Sequence, residues 1–247
     1  MSDRIVTAAV IIIGNEILSG RTQDTNLRDI AMTLGSWGIR VTEARVIPDV
    51  ESTIVSVVNE ARARHDYVFT TGGIGPTHDD ITAQSIAKAF KTKLIEHPQI
   101  AAFLRRREAS PEIMASRLRM AMVPEGSQLI DNPNGPPGFS IGNVYVMAGI
   151  PNVMRGMLAS LQSKLTGGAV LQSRSVTAYL AESTIAAPLQ SIQAAYPDVE
   201  IGSYPFRKED RFGTTLVMRG IDAALLEEVA EKVKAMIVAA GGTPEEQ

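Results

Sequence analysis

Two neighbouring carboxylates, Asp79 and Asp80, follow a glycine-rich stretch in which Gly72, Gly73 and Gly75 lie close together. Glycine adopts positive φ at little cost and lets a ligand approach the backbone, because it has no Cβ. A glycine loop that leads into a helix also presents free N–H groups and the positive end of the helix dipole. The stretch therefore predicts an anion-binding loop, most simply for phosphate, with two carboxylates beside it.

Two interpretations of the carboxylates are open. Asp79 or Asp80 caps the helix that the apolar pattern predicts over residues 80–90, which is a common role for Asp. Alternatively, one or both hold a divalent metal such as Mg²⁺ that bridges to phosphate oxygens. We interpret His78 as a loop residue and not as a metal ligand, since no second His lies nearby in the sequence.

The elements around this loop predict an α/β fold. The unbroken apolar run at 6–13 is typical of a central strand of a parallel sheet, buried on both faces. Alternation of strands and helices at this spacing predicts right-handed crossovers and a mostly parallel sheet with helices on both faces. Strands are predicted at 6–13, 39–47, 66–71 and 144–147, and helices at 22–36, 50–64, 80–90, 98–107, 111–120 and 152–165.

Ligands of such sheets bind outside the carboxyl ends of the strands. The loops at 14–26, 48–49 and 72–80 all fall at that edge, so Asp49, Asp79 and Asp80 are expected to converge as catalytic residues. Gly149, before the helix predicted from residue 152, offers a second anion-binding end.

Residues 166–168 form the predicted domain boundary. The sequence predicts a first domain at 1–166 and a small α+β subdomain at 168–247 with a mostly antiparallel sheet. Within the subdomain we expect a charged exposed loop at 205–212 and a frayed tail at 241–247. Its strands are predicted at 172–180, 199–204 and 214–219, and its helices at 182–195 and 222–240.

Composition narrows the function. The formal net charge of −3 favours neither nucleic acid nor membrane as a partner, and no apolar run approaches the length of a membrane span. The chain has no cysteine, which excludes disulfides and thiol catalysis and, without a visible signal peptide, fits a cytoplasmic protein. The arginines at 105–107, 117 and 119 form either a solvated basic face or a rim that attracts a polyphosphate.

The glycine loop matches neither the P-loop nor the Rossmann fingerprint. Four stretches, at 13–26, 70–80, 132–139 and 147–154, instead resemble motifs of the molybdopterin-binding (molybdenum cofactor biosynthesis) domain family. The resemblance is closest to the branch that contains the N-terminal part of competence/damage-inducible protein A. It covers the first two thirds of the chain strongly and the rest more loosely.

The resemblance implies a small-molecule nucleotide or pterin ligand, a homo-oligomer (dimer or trimer) and one of two functions, with an inactive scaffold as a third alternative. The first is hydrolysis of a dinucleotide pyrophosphate, of the ADP-ribose or FAD type, with a divalent metal. The second is binding of molybdopterin, or adenylyl transfer to it, without hydrolysis. Asp80 aligns with the family's functional Asp, whereas Asp79 replaces a basic residue and Asn15 replaces the usual Asp. The ligand-binding residues so implied are Gly14, Asn15, Glu16, Thr71, Gly72, Gly73, Gly75, Pro76, Thr77, Asn132, Gly135, Gly149 and Pro151.

Overall fold

A computed structural model describes residues 4–133, 135–208 and 210–246, and the chain divides after Gly168 into two compact units. The first is an α/β domain built on a six-stranded sheet. Its strands and helices follow in chain order: β1 Val6–Ile13, α1 Asn15–Leu18, α2 Asn26–Ser36, β2 Ile39–Ile47, α3 Glu51–Arg64, β3 Tyr67–Thr71, α4 Thr82–Ala89, β4 Leu94–Glu96, α5 Pro98–Arg105, α6 Pro111–Leu118, β5 Met122–Pro124, β6 Gln128–Ile130, β7 Gly138–Ile141, β8 Val144–Met147 and α7 Pro151–Ala159.

The sheet has the strand order β2-β1-β3-β8-β7-β6. The pairs β1–β2, β1–β3 and β3–β8 are parallel, whereas β7 runs antiparallel to both of its neighbours. The predicted mostly parallel sheet is therefore confirmed. The antiparallel strands β6 and β7 were not predicted, because they are only three and four residues long and adjoin the turn-rich segment at 132–138.

Successive residues of β1 point to opposite faces of the sheet and feed two separate cores. Ile11 packs in a cluster with Ile54 of α3 and Ile86 of α4, and Ile12 packs in a cluster with Leu34 of α2 and with α7. Both faces are thus covered by helices, as predicted, which explains why β1 has no polar side chain apart from Thr7 near its start.

The second unit contains β9 Gln172–Ala178, α8 Glu182–Ala195, β10 Glu200–Lys208, β11 Arg211–Gly220, α9 Ala223–Ala239 and β12 Glu245–Glu246. Its sheet is antiparallel with the order β10-β11-β9-β12, as the predicted α+β subdomain requires. The apolar faces of both helices close its core over Val176, Leu216 and Met218.

Two predictions for this unit were wrong. The segment predicted as an exposed charged loop at 205–212 belongs mostly to a long hairpin, in which Lys208 pairs with Arg211. Charged side chains are tolerated there because both faces of the hairpin are exposed at its tip. The tail predicted to fray at 241–247 instead pairs Glu245 and Glu246 with β9, and its last residue lies outside the described residues.

Candidate functional site

A cavity of about 630 Å³ lies at the carboxyl ends of β1, β3 and β8, within the size range of small-molecule sites. The chain leaves these strands through Gly14, Gly72 and Ala148. The cavity is lined by Ile12, Ile13, Glu16, Ile17, Thr22, Gln23, Asp24, Thr25, Asn26, Thr71, Gly72, Gly73, Ile74, Gly75, Pro76, Asp80, Ala83, Arg119, Met120, Met122, Asn132, Gly135, Pro136, Pro137, Phe139, Ala148, Gly149, Ile150, Pro151, Val153 and Met157.

The turn after β3 can be built only with glycine. Gly72 and Gly73 have φ of +100° and +67°, in the left-handed region that residues with a Cβ rarely adopt. A Cβ on Gly72 would lie 2.1 Å from the carbonyl oxygen of Ile13, and one on Gly73 would lie 2.2 Å from Oγ1 of Thr82. Gly72 and Gly73 are therefore required for the conformation of the turn, and they also leave room for a ligand.

The turn is held from behind by Thr82. Its backbone N–H donates to the carbonyl of Gly73 at 3.0 Å, and its buried hydroxyl donates to the carbonyl of Gly72 at 2.9 Å. Both contacts from Thr82 are made to carbonyl groups of the turn and not to its N–H groups. Within the described chain, the backbone N–H groups of Gly73, Ile74 and Gly75 donate to no other residue, so three successive donors are available to an anion.

Asp80 lies in the cavity, beside the glycine turn. Its Oδ2 accepts hydrogen bonds from the backbone N–H of Thr77, at 2.8 Å, and from the Thr77 hydroxyl at 2.5 Å. A Cβ on Gly75 would lie 2.6 Å from the same oxygen. The helix α4 begins only at Thr82 and has no side-chain cap, so the interpretation of Asp79 or Asp80 as its N-cap was wrong.

Asp79 does not line the cavity, and its side chain is 64% exposed. Hydrogen bonding from the Thr77 side chain, ahead of the backbone N–H of Asp79 itself, holds the pKa of the Asp79 carboxyl below its usual range. The single proton of that hydroxyl serves one carboxylate at a time, and the contact geometry assigns it to Asp80. Asp79 is thus an exposed carboxylate of the loop between β3 and α4, outside the cavity.

Asp49 is not one of the lining residues, and its Oδ2 accepts an exposed hydrogen bond of 2.9 Å from the backbone N–H of Asn15, which holds the start of α1. The neighbouring Glu16 lines the cavity, and its carboxylate packs over Gly14, where a Cβ would lie 2.4 Å from Oε1. The topology therefore brings the loops together, but the expected meeting of Asp49, Asp79 and Asp80 in one cavity does not occur.

The predicted ligand-binding residues divide accordingly. Those that line the cavity, together with Asp80, are Glu16, Thr71, Gly72, Gly73, Gly75, Pro76, Asn132, Gly135, Gly149 and Pro151. Gly14, Asn15 and Thr77 support the loops behind it. Asn132 Nδ2 donates to the carbonyl of Pro136 at 2.9 Å, which closes the turn-rich segment predicted at 132–138.

Asn26 is a site residue that the sequence analysis missed. It is 4% exposed and lines the cavity, its Nδ2 donates to the carbonyl of Gly149, and its Oδ1 has no hydrogen-bond partner among the residues that the structure describes. The hydroxyl of Thr71, also buried in the cavity wall, is unpartnered as well. Three other buried polar atoms, in Thr70, His97 and Ser127, are also unpartnered among the described residues but do not belong to the lining. The two in this wall are available to a polar ligand group. Two signals were available in the sequence: Asn26 is a polar residue within the predicted helix 22–36, and it ends the stretch 13–26 that resembles a family motif.

The donor set of the cavity limits what metal it could hold. Across the parts of the chain that the structure describes, no group of three or more His, Cys, Asp or Glu side chains is arranged to bind a metal ion. The carboxylates that line the cavity are Glu16, Asp24 and Asp80. Such a set does not fit an all-protein cage, but it fits Mg²⁺ that is held by one or two carboxylates, water and the phosphates of a ligand.

No helix among the described residues is long and apolar enough to cross a membrane.

Comparison with known proteins adds two family matches. Residues 9–167 match the model described as "Probable molybdopterin binding domain", and residues 170–244 match "FAD synthase, middle domain". The two matches meet at the division between the two compact units.

Individual relatives agree with both matches. A CinA-like protein of Desulfosudis oleivorans is 35% identical over 212 residues, which cover 79% of this chain and 51% of the relative. A probable FAD synthase of Caenorhabditis elegans is 31% identical over 258 residues, which cover 94% of this chain and 50% of the relative. The chain thus spans about half the length of these two relatives. The crystal structure of a CinA protein of unknown function from Thermoplasma acidophilum has a TM-score of 0.58 at 32% identity, over 64% of this chain and 96% of that one.

Proposed function

The chain belongs to the molybdopterin-binding domain family, in its CinA-like branch, and from this premise we propose that its cavity binds a phosphate-bearing nucleotide or pterin. The observation that carries the proposal is the pair of buried oxygens, Asn26 Oδ1 and Thr71 Oγ1, that have no partner among the described residues and lie in the wall of a cavity that also contains the glycine turn. A heterocycle with N–H or NH₂ groups would satisfy the oxygens, while its phosphate takes the free N–H groups of the turn.

The remaining surface of the cavity suits a flat ring. Met120, Met122, Phe139, Ile150 and Val153 contribute apolar side chains to its lining. Such side chains bind the faces of a planar ring, and a few convergent polar groups fix its orientation. Arg119, also in the lining, supplies a positive charge for the phosphate.

We further propose that the bound ligand is a dinucleotide, of the ADP-ribose or FAD type, and that its pyrophosphate is hydrolysed. In this reaction the oxygen of one water attacks a phosphorus atom, one P–O bond of the bridge breaks, and two monophosphates and a proton are released. A divalent metal held by Asp80 would supply charge neutralisation. Asp80 lies where it can orient the attacking water. The match of the second unit to a domain of FAD synthase makes flavin nucleotides the first ligands to test.

One observation favours a second candidate, the binding of molybdopterin or of a nucleotide without hydrolysis. Asp49 accepts a hydrogen bond from Asn15, Asp80 already accepts two hydrogen bonds from Thr77, and Asp79 is exposed outside the cavity. A cavity of this kind can bind a ligand that reacts elsewhere.

One experiment separates the two. The full chain is incubated with ADP-ribose or FAD, in Mg²⁺ or in excess EDTA, and released monophosphate is measured after phosphatase treatment. Calorimetric titration with the same ligands in EDTA measures binding. Turnover that needs Mg²⁺ supports hydrolysis, binding without turnover supports the second candidate, and neither binding nor turnover of any nucleotide or pterin would overturn both. The expected homo-oligomer stays a prediction, which sedimentation analysis can test.

A further inference from the structure

A second concave surface adjoins the cavity. It is a groove of about 520 Å³ lined by the end of α5, by α6 and by the turn-rich segment after β6. Met120, Gly135 and Pro136 line both the groove and the cavity, so the two spaces are neighbours along one surface. A ligand that fills the cavity could therefore continue into the groove.

The groove carries three arginines that the rest of the site does not use. Within the described chain, Arg106, Arg107 and Arg117 have no carboxylate within 4.0 Å. The preceding Arg105 differs, because its Nη2 lies 2.8 Å from Oε1 of Glu96 and it does not line the groove. Arginines that are concentrated in a concavity without counter-charges attract anions, and their planar donors match phosphate.

An aromatic ring lies among these arginines. Phe103 is 39% exposed, and it lines the groove. The guanidinium of Arg106 lies 5.7 Å from the centroid of its ring. Aromatic and guanidinium planes together are the surface on which nucleobases stack. The groove thus offers both of the contacts that a nucleotide requires: an aromatic ring on which the base can stack, and guanidinium groups that can donate hydrogen bonds to the phosphate.

We propose that this groove binds the second nucleotide half of a dinucleotide whose first half occupies the cavity. The proposal rests on the proposed nucleotide binding of the cavity and specifies its ligand class. Arg119 lines the cavity next to Met120, which lines both spaces, so it lies near their border, where the linking phosphates of such a ligand would cross. The groove then selects dinucleotides over mononucleotides.

The test compares two variants of the full chain by calorimetric titration with FAD, FMN and AMP, in EDTA and again with Mg²⁺. One variant combines Arg106→Gln with Arg107→Gln, which removes two charges of the groove. The matched control is Arg105→Gln, which removes a neighbouring charge outside it. The thermal unfolding curves of both variants are recorded, since all three side chains are exposed and their loss should leave the fold intact.

We expect the double variant to bind FAD about tenfold more weakly, the scale of losing charge-assisted phosphate contacts. The affinity for the tighter of the two mononucleotides should change less than about twofold, and Arg105→Gln should bind all three ligands like the wild type. Two results would overturn the groove while leaving the cavity in place: unchanged FAD affinity in the double variant, or an equal loss for FAD and for the tighter mononucleotide. Failure of all three nucleotides to bind the wild type would instead overturn the proposed nucleotide binding itself, and the groove with it.

Discussion

Asn26 Nδ2 donates a hydrogen bond of 2.7 Å to the carbonyl oxygen of Gly149, a residue 123 positions away in the sequence. This bond ties the first turn of α2 to the loop after β8. It also fixes the orientation of the amide, so that Oδ1 remains buried without a partner in the cavity wall. The amide thus holds two walls of the site together and leaves one acceptor for a ligand.

The two neighbouring threonines of β3 provide a matched test of this wall. Thr70 and Thr71 are both buried with unpartnered hydroxyls, but only Thr71 lines the cavity. Val has nearly the same shape and removes the orphan hydroxyl, so each Thr→Val substitution should raise the free energy of unfolding by about 1 kcal/mol. We expect Thr71→Val to bind ligand about tenfold more weakly and Thr70→Val to bind like the wild type. Urea unfolding and calorimetry measure both effects, and equal affinities in the two variants would contradict a role for the Thr71 hydroxyl.

Gly73→Ala should both destabilise the fold and abolish ligand binding. The substitution places a Cβ at positive φ and 2.2 Å from the Thr82 hydroxyl that holds the turn. We expect a loss of about 2–3 kcal/mol in the free energy of unfolding, measured in urea. Gly35→Ala is the control, because Gly35 lies within α2 with open space around it and should gain about 0.5–1 kcal/mol. A Gly73→Ala protein as stable as the wild type would show that the turn tolerates another conformation.

Asp80→Asn tests the hydrolysis proposal. The amide keeps an oxygen that can accept from Thr77, so the melting temperature should change little, whereas the charge is lost. We expect kcat for the dinucleotide to fall about a hundredfold or more, the scale of losing one catalytic group. Asp131→Asn is the control, since Asp131 is exposed, pairs with Lys164 and lies outside the cavity. Turnover that survives Asp80→Asn, or that persists in excess EDTA, would rule out the proposed role of this carboxylate.

Asp66 should make the stability of the first unit depend on pH. The backbone N–H of Thr7 donates to its Oδ2 at 2.8 Å, and this bond, first among several, lowers the pKa of Asp66 in the folded state. A lowered pKa means that the stabilisation is present above the unfolded value, near pH 4, and is lost as the pH falls through the folded value. Asp66→Asn should therefore cost about 1 kcal/mol at pH 7 and less at pH 2, which lies below the unfolded value. Urea unfolding at the two pH values measures this, and a difference that is independent of pH would contradict it.

Local pattern was enough to predict the α/β domain. The unbroken apolar run of β1 could belong only to a strand covered on both faces, and Gly72 and Gly73 could be placed at a turn because no other residue adopts their conformation cheaply. These properties depend on neighbours in the sequence. Strands as short as β6 and β7 have no such pattern, and the hairpin of β10 and β11 is paired along charged residues that suggest a loop by composition.

The arrangement of side chains at the site depended on contacts between distant residues. Topology brought Asp49, Asp79 and Asp80 to one edge of the sheet. A hydrogen bond to Asn15 engages Asp49 at the start of α1. Hydrogen bonds from Thr77 hold Asp80 in the lining of the cavity, whereas Asp79 lies outside it. The open acceptor of Asn26 likewise exists only because Gly149 takes its other amide group. A sequence pattern reports which residue types are near in the chain, whereas a binding site is made by which polar atoms remain without partners once the chain has folded.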